Sequence, residues 1–167
     1  MPNLYLLRHA KSSWDDPGSN DRDRPLSPRG RRAAERLAEH LRAEGVHPDL
    51  VLCSPAVRAR QTLARVRRAL GDPKVTFDEI LYAADAERLL ARLRTVPAGV
   101  ETVLLIGHNP GLQDLALDLA AEGRGLRKLR AKLPTGALVS LSFEGAWSDL
   151  GPGRAVLAGF VVPRELP

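Results

Sequence analysis

The chain has 167 residues, 44% of them hydrophobic and 27% charged, with 25 Lys and Arg against 20 Asp and Glu for a net charge of +5. That is enough chain for one domain, residues 1–167, with a real core, and the balance excludes a disordered polyelectrolyte. A single cysteine excludes an intramolecular disulfide or a multi-cysteine metal knuckle, no apolar run approaches the ~18 residues of a membrane span, and no basic-then-apolar leader opens the chain, so a cytoplasmic protein without a membrane partner is expected.

Residues 4–8 read as a first strand, apolar throughout and so central in a parallel sheet. A long polar loop follows over residues 10–25, and a loop of that length after a central strand is more often functional than idle. Ser27-Pro28 opens a first helix, with Ala34, Leu37, Ala38 and Leu41 on one face and Gly45 at its end. Leu50-Val51-Leu52-Cys53 is a short second strand. Ser54-Pro55 repeats the cap signal and opens a second helix through Ala59, Leu63, Val66 and Leu70, closed by Gly71.

Val75-Thr76-Phe77 is a short strand leading to a loop at Leu81-Tyr82-Ala83. Asp85 caps a third helix carrying Leu89, Leu90, Leu93 and Val96. Residues 102–107 form the clearest buried strand, and Asn109-Pro110 caps and starts a fourth helix through Leu112, Leu115, Ala116 and Leu119. Residues 127–132 read as a solvated basic connection. Residues 137–143 and 155–161 form a late hairpin around a Gly/Ser/Pro-rich turn. The alternation implies a three-layer α/β/α sandwich, with a mainly parallel central sheet and at least one antiparallel strand.

Ligands in such sheets sit at the carboxyl ends of the strands. Arg8-His9 ends the first strand, Arg58 lies in the first turn after the second, and His108 ends the strand over 102–107. Fold logic brings them to one edge, where helix N-termini add free N–H groups, and the result is a cationic pocket for an anion. A phosphoryl group in transfer spreads negative charge over its oxygens, which planar arginine donors match. A neutral histidine can attack phosphorus if its other ring nitrogen is held by a backbone carbonyl, and a second histidine can donate to the phosphoryl oxygens. Lys11, Ser12 and Asn109 are either pocket-lining residues or turn and cap residues. The four histidines lack the spacing of a chelating helix pair, so no metal is expected. Aromatics are only 4%, and no nucleic-acid-binding pattern is visible, so no nucleic-acid partner is expected. Cys53 reads as a small buried apolar residue, and Arg60, Arg65, Arg67 and Arg68 as a solvated helix face with some capacity to dock an acidic partner.

Leu7-Arg8-His9-Ala10-Lys11-Ser12 resembles the signature of the histidine phosphatase superfamily, also called the phosphoglycerate mutase-like fold. Ser54-Pro55-Ala56-Val57-Arg58-Ala59-Arg60-Gln61-Thr62 resembles its second motif and Gly107-His108-Asn109-Pro110 its third, in the same order. The short chain, the alanine after Arg8-His9, the Arg24-Pro25-Leu26-Ser27 segment and Pro134-Thr135-Gly136-Ala137 resemble the SixA-type phosphohistidine phosphatases within it. The resemblance implies His9 as the phosphorylated nucleophile, Arg8, Arg58 and His108 as phosphate ligands, no cofactor, and a phosphohistidine protein as substrate. Two carboxylates match positions of a proton donor in relatives: Glu79, three residues before Tyr82, and Asp21, three residues before Arg24. Solvent is the third source, since a phosphoramidate leaving group can be protonated by water. A phosphatase for a small phosphate ester and a non-catalytic phosphoprotein-binding module are the competing readings. The short stretch from Asp72 to Asp85 argues against an elaborate cap, and the chain length against a mutase.

Overall fold

β1 (Asn3–Arg8) is hydrogen-bonded on both sides, which suits a strand with apolar side chains on both faces. Its period of two sends Leu4 and Leu6 to one core and Leu7 to the other. The computed structural model describes residues 1–167. α1 (Pro28–Ala43), β2 (Leu50–Cys53), α2 (Val57–Val66), β3 (Lys74–Phe77), α3 (Ala86–Arg94) and β4 (Thr102–Gly107) follow in turn. α4 (Gly111–Leu119), β5 (Ala120–Gly123), α5 (Leu126–Ala131), β6 (Leu138–Phe143) and β7 (Ala155–Val161) complete the chain.

The seven strands lie in the order β3-β2-β4-β1-β6-β7-β5. Only β6 runs against the others, pairing antiparallel with β1 and β7. β4 divides its side chains as β1 does, with Val103 and Leu105 facing one core and Leu104 and Ile106 the other. α1 and α2 cover one face through Leu37, Leu41, Leu63 and Val66. α3, α4 and α5 cover the other through Leu93, Leu112, Leu115 and Leu129. This is the α/β/α sandwich with a mainly parallel sheet and an antiparallel strand that the sequence implied. No helix is long and apolar enough to cross a membrane.

Several elements differ from the sequence reading. α2 begins at Val57 after Ala56, because the Ser54 side chain turns toward the site. α4 begins at Gly111, one residue later than expected, although Asn109 Oδ1 still accepts from the Gln113 N–H. α2 ends at Val66 and α3 at Arg94, yet Leu70 and Val96 remain buried in the turns beyond. The basic segment near 127–132 is helix α5, anchored by fully buried Leu129. β5 went unpredicted: Ala120-Ala121-Glu122-Gly123 has little strand propensity, and its place comes from tertiary pairing with β7.

The polar loop after β1 is held against the helical layer. Ser12 and Leu26 form an isolated antiparallel bridge, and Ser27 N–H donates to the Lys11 carbonyl at 2.9 Å. Gly30, in the first turn of α1, permits this approach, since a Cβ there would stand 2.1 Å from the Lys11 oxygen.

Candidate active site

Register alone brings the two sequence-singled histidines together. Arg8 pairs with Gly107 across β1 and β4, so His9 and His108 leave adjacent parallel strands side by side. Their ring centroids are 5.1 Å apart. Cys53 pairs with Ile106 across β2 and β4, so Ser54 emerges beside them. α2 then projects Arg58 back over the strand ends.

His9 is 6% exposed, and its backbone N–H donates to the Gly107 carbonyl at 3.1 Å. Its Nδ1 lies 2.7 Å from the Ala10 carbonyl, which fixes the proton on Nδ1 and leaves a lone pair on Nε2. Arg58 Nε donates to that Nε2 at 3.3 Å. Thr62, one turn along α2, accepts the Ala10 N–H at 3.0 Å and donates to the Arg58 carbonyl at 2.8 Å. One threonine hydroxyl thus joins the segment carrying His9 to the helix carrying Arg58. The ring is a buried, correctly tautomerised neutral imidazole, the state a nitrogen nucleophile requires.

Arg58 is also buried, and its fork reaches the Asp21 carbonyl at 2.6 Å, Asp21 Oδ2 at 3.1 Å and His108 Nδ1 at 3.4 Å. His108 Nε2 lies 2.7 Å from Ser54 Oγ. Arginine only donates, so here Nδ1 accepts from Arg58 and the ring proton sits on Nε2, donated to Ser54 Oγ. Once Arg58 turns to an anion and the Ser54 hydroxyl donates to Nε2 instead, Nδ1 can carry an N–H to the same anion. Arg8 donates through Nη1 to the Leu133 carbonyl at 2.9 Å, while its Nε is buried without a partner. An orphaned buried donor at the edge of a cationic pocket is a place for a ligand oxygen.

Burial, foremost, holds the His9 imidazolium pKa down to about 3, with the neighbouring His108, Arg58 and Arg8 adding to it against the Ala10 hydrogen bond. Burial and then Arg58 bring His108 down to about 4, opposed by Asp21. Both rings are therefore neutral at pH 7. An unfolded histidine titrates near 6.5, so below that pH the unfolded chain binds protons that the folded one refuses. Stability is therefore expected to fall as pH drops from about 6.5 toward 4, with a slope of up to ~1.4 kcal/mol per pH unit for each histidine. Urea unfolding at pH 5 and 7 checks this, against a His9→Ala/His108→Ala double variant in which the difference shrinks.

Asp21 is the only carboxylate lining the pocket. The Tyr82 hydroxyl, donating at 2.6 Å, is the chief cause that holds it well below the usual carboxylate range, with Arg24 and Arg58 assisting against partial burial. Asp21 is thus ionised in the resting site, where it accepts hydrogen bonds and carries no proton to give. Glu79, the other candidate carboxylate, does not line the cavity. It is an exposed side chain ion-paired with Arg22 outside the pocket, because the turn Glu79–Leu81 points it to solvent while Tyr82 faces inward.

The cavity holds about 530 Å³ and is lined by Arg8, His9, Arg58 and His108 at its floor. Lys11, Ser12 and Asn109 also line it. Lys11 is exposed, Ser12 Oγ accepts from Arg24 Nη1 at 2.6 Å, and the Asn109 amide is tied to the Leu133 carbonyl and to Gln113. The sequence reading did not assign Arg24 to the site. Arg24 is 7% exposed, bonded to Asp21 and Ser12, and stacked 3.5 Å from the centre of the Trp14 ring. The Asp21-x-x-Arg24 spacing in a long polar loop was the available signal. Tyr82, edge-on to His108 with ring centroids 5.6 Å apart, was visible only as a loop aromatic. No group of three or more His, Cys, Asp or Glu converges to hold a metal ion.

The sequence profile of the histidine phosphatase superfamily (branch 1) matches residues 4–92. An uncharacterized protein of Mycobacterium tuberculosis is 40% identical over 162 residues, covering 95% of this chain and all of that protein. The phosphohistidine phosphatase SixA of Escherichia coli is 30% identical over 119 residues, 70% of this chain and 73% of SixA. The structure of a candidate SixA from Nakamurella multipartitia superimposes with a TM-score of 0.83 at 34% identity, over 97% of this chain and 96% of that one. With the paired histidines, the Arg58 fork and these likenesses in agreement, the chain belongs to the histidine phosphatase superfamily, in its SixA-type branch.

Proposed function

We propose that this protein is a cytoplasmic phosphatase that removes the phosphoryl group from phosphohistidine on a protein, through a phosphohistidine of its own. The observation that carries this reading is a buried neutral His9, with its Nε2 lone pair turned to a cationic cavity that contains no protonated carboxyl group. His9 Nε2 forms a bond to phosphorus as the bond from phosphorus to the substrate imidazole breaks. That imidazole takes its proton from solvent, so the absence of a fixed acid costs little. An alkoxide leaving group needs a proton in the transition state, and with Glu79 outside the pocket and Asp21 ionised, none is held for it.

Arg8, Arg58 and His108 hold the phosphoryl oxygens, with the free Arg8 Nε as one donor. Lys11 adds positive charge at the mouth. Ser12 and Asn109 keep Arg24 and the Leu133 segment in place. Water then attacks phosphorus, the His9–phosphorus bond breaks, and inorganic phosphate leaves. The segment between β3 and α3 is one short turn and builds no cap, so a protein-borne phosphoryl group can reach the floor. The E. coli relative named phosphohistidine phosphatase supports the same substrate class.

The test is phosphate release from a phosphohistidine-bearing protein beside p-nitrophenyl phosphate, with an acid quench and an alkaline quench during turnover. The expected result is kcat/KM at least ~10-fold higher for the phosphohistidine protein, and a phosphoenzyme that survives alkali and not acid. Preference for the ester would move the assignment to a small-molecule phosphatase. Binding of phosphate without any turnover would leave a phosphoprotein-binding module.

A further inference from the structure

A second cavity of about 510 Å³ adjoins the first and shares Arg8, Lys11 and Thr135 with it. Its other charged walls are Arg29 and Arg36 from α1, Lys132 from the connection after α5, and Arg164 from the turn Pro163–Glu165. Six cations line it and no carboxylate does. Arg29, Arg36, Lys132, Arg164 and Lys11 form no ion pair. Glu165, the acid beside Arg164, is taken by Lys128 at 2.5 Å. In the cluster noted in the sequence, Arg65 pairs with Glu35, Arg67 with Asp72 and Arg60 lies over the Phe77 ring, which leaves Arg68 alone there without a partner. Six cations without an ion pair therefore share one groove, where their mutual repulsion is relieved by an anion from outside.

We propose that this groove binds an acidic segment of the protein substrate, flanking the residue whose phosphoryl group enters the catalytic pocket. The proposal rests on the phosphatase reading above. Its geometry favours an extended polyanion over a second small phosphate. Arg29 and Arg36 lie on one stripe of α1 seven residues apart, about 10 Å along the axis at 1.5 Å per residue. Lys132 and Arg164 face that stripe from other elements. One phosphate engages two or three donors; a row of carboxylates matches cations dispersed over that length. Arg8 sits between the two cavities, so a phosphoryl group on one side and an acidic side chain on the other are read by one molecule of substrate.

The test compares wild type with Arg36→Glu/Arg164→Glu on phosphohistidine peptides flanked by glutamates or by glutamines. Wild type is expected to favour the glutamate peptide by about 10-fold or more in kcat/KM, mostly through KM, with a steep loss in salt. The double variant is expected to lose that preference and keep its rate on p-nitrophenyl phosphate within ~2-fold. Equal preference in both proteins would overturn the proposal. Calorimetric titration with a non-phosphorylated glutamate peptide reads the groove without turnover. Binding by wild type and not by the variant supports the assignment, even if phosphohistidine were to prove no substrate. Pyrophosphate inhibition lost in the variant, with no binding of the glutamate peptide by wild type, would overturn it in favour of a small bisphosphate.

Discussion

His9→Ala is expected to lower kcat at least ~10⁴-fold on any phosphorylated substrate, because no other group can form the covalent intermediate. His108 is the one other ring on the pocket floor, and its nitrogens face Ser54 and Arg58 rather than open space. Anion binding is expected to survive within ~3-fold, since Arg58 and Arg8, with its orphaned Nε, remain. Steady-state kinetics with tungstate titration by calorimetry measure the two quantities separately. The substitution also removes a buried ring and leaves the Ala10 carbonyl without its partner, at a cost of about 1–3 kcal/mol, so a circular dichroism melt belongs with the assay. Residual turnover near the wild-type rate would place the nucleophile elsewhere.

Arg58→Lys is expected to cost about 10²–10³-fold in kcat/KM although the positive charge is retained. One guanidinium reaches His9, both the carbonyl and the carboxylate of Asp21, and His108. A lysine offers a single nitrogen and cannot span them. Arg58→Ala separates shape from charge. Arg58 helps to depress the pKa values of both His9 and His108. Its removal raises both, so the acid limb of kcat/KM, below about pH 4 in wild type, is expected to move to higher pH. In Arg58→Lys the limb stays near its wild-type position. A lysine variant as fast as wild type would show that a point charge suffices.

The parts of the site that lie at strand ends were legible because strand register is stiff. Once β1 and β4 are recognised as parallel neighbours, Arg8-His9 and Gly107-His108 fall together. Arg58 follows from the short step between β2 and α2. Glu79 and Asp21 looked alike in sequence, both loop carboxylates near a motif. What separates them is the direction a short turn takes, which the spacing does not record: the turn after β3 exposes Glu79, and the turn Asp21–Asp23 brings Asp21 under Arg58. Arg24 was hidden for a related reason, since a buried arginine in a loop is intelligible only with its partners Asp21, Ser12 and Trp14 in view. β5 shows the same limit in the fold, where tertiary pairing overrides weak local preference.

The position of β1 in the sheet also bears on how the protein is made. β1 pairs with residues 102–107 on one side and 138–142 on the other, so during synthesis this strand waits for partners made more than 90 and 130 residues later. Such long sequence separations slow folding and leave an unpaired, apolar strand exposed during synthesis. His9, at the end of that strand, meets His108 only when β4 has been synthesised, and the arginine beside it finds the Leu133 carbonyl later still. The pocket around His9 is therefore assembled only after β4 and the Leu133 segment have both been synthesised.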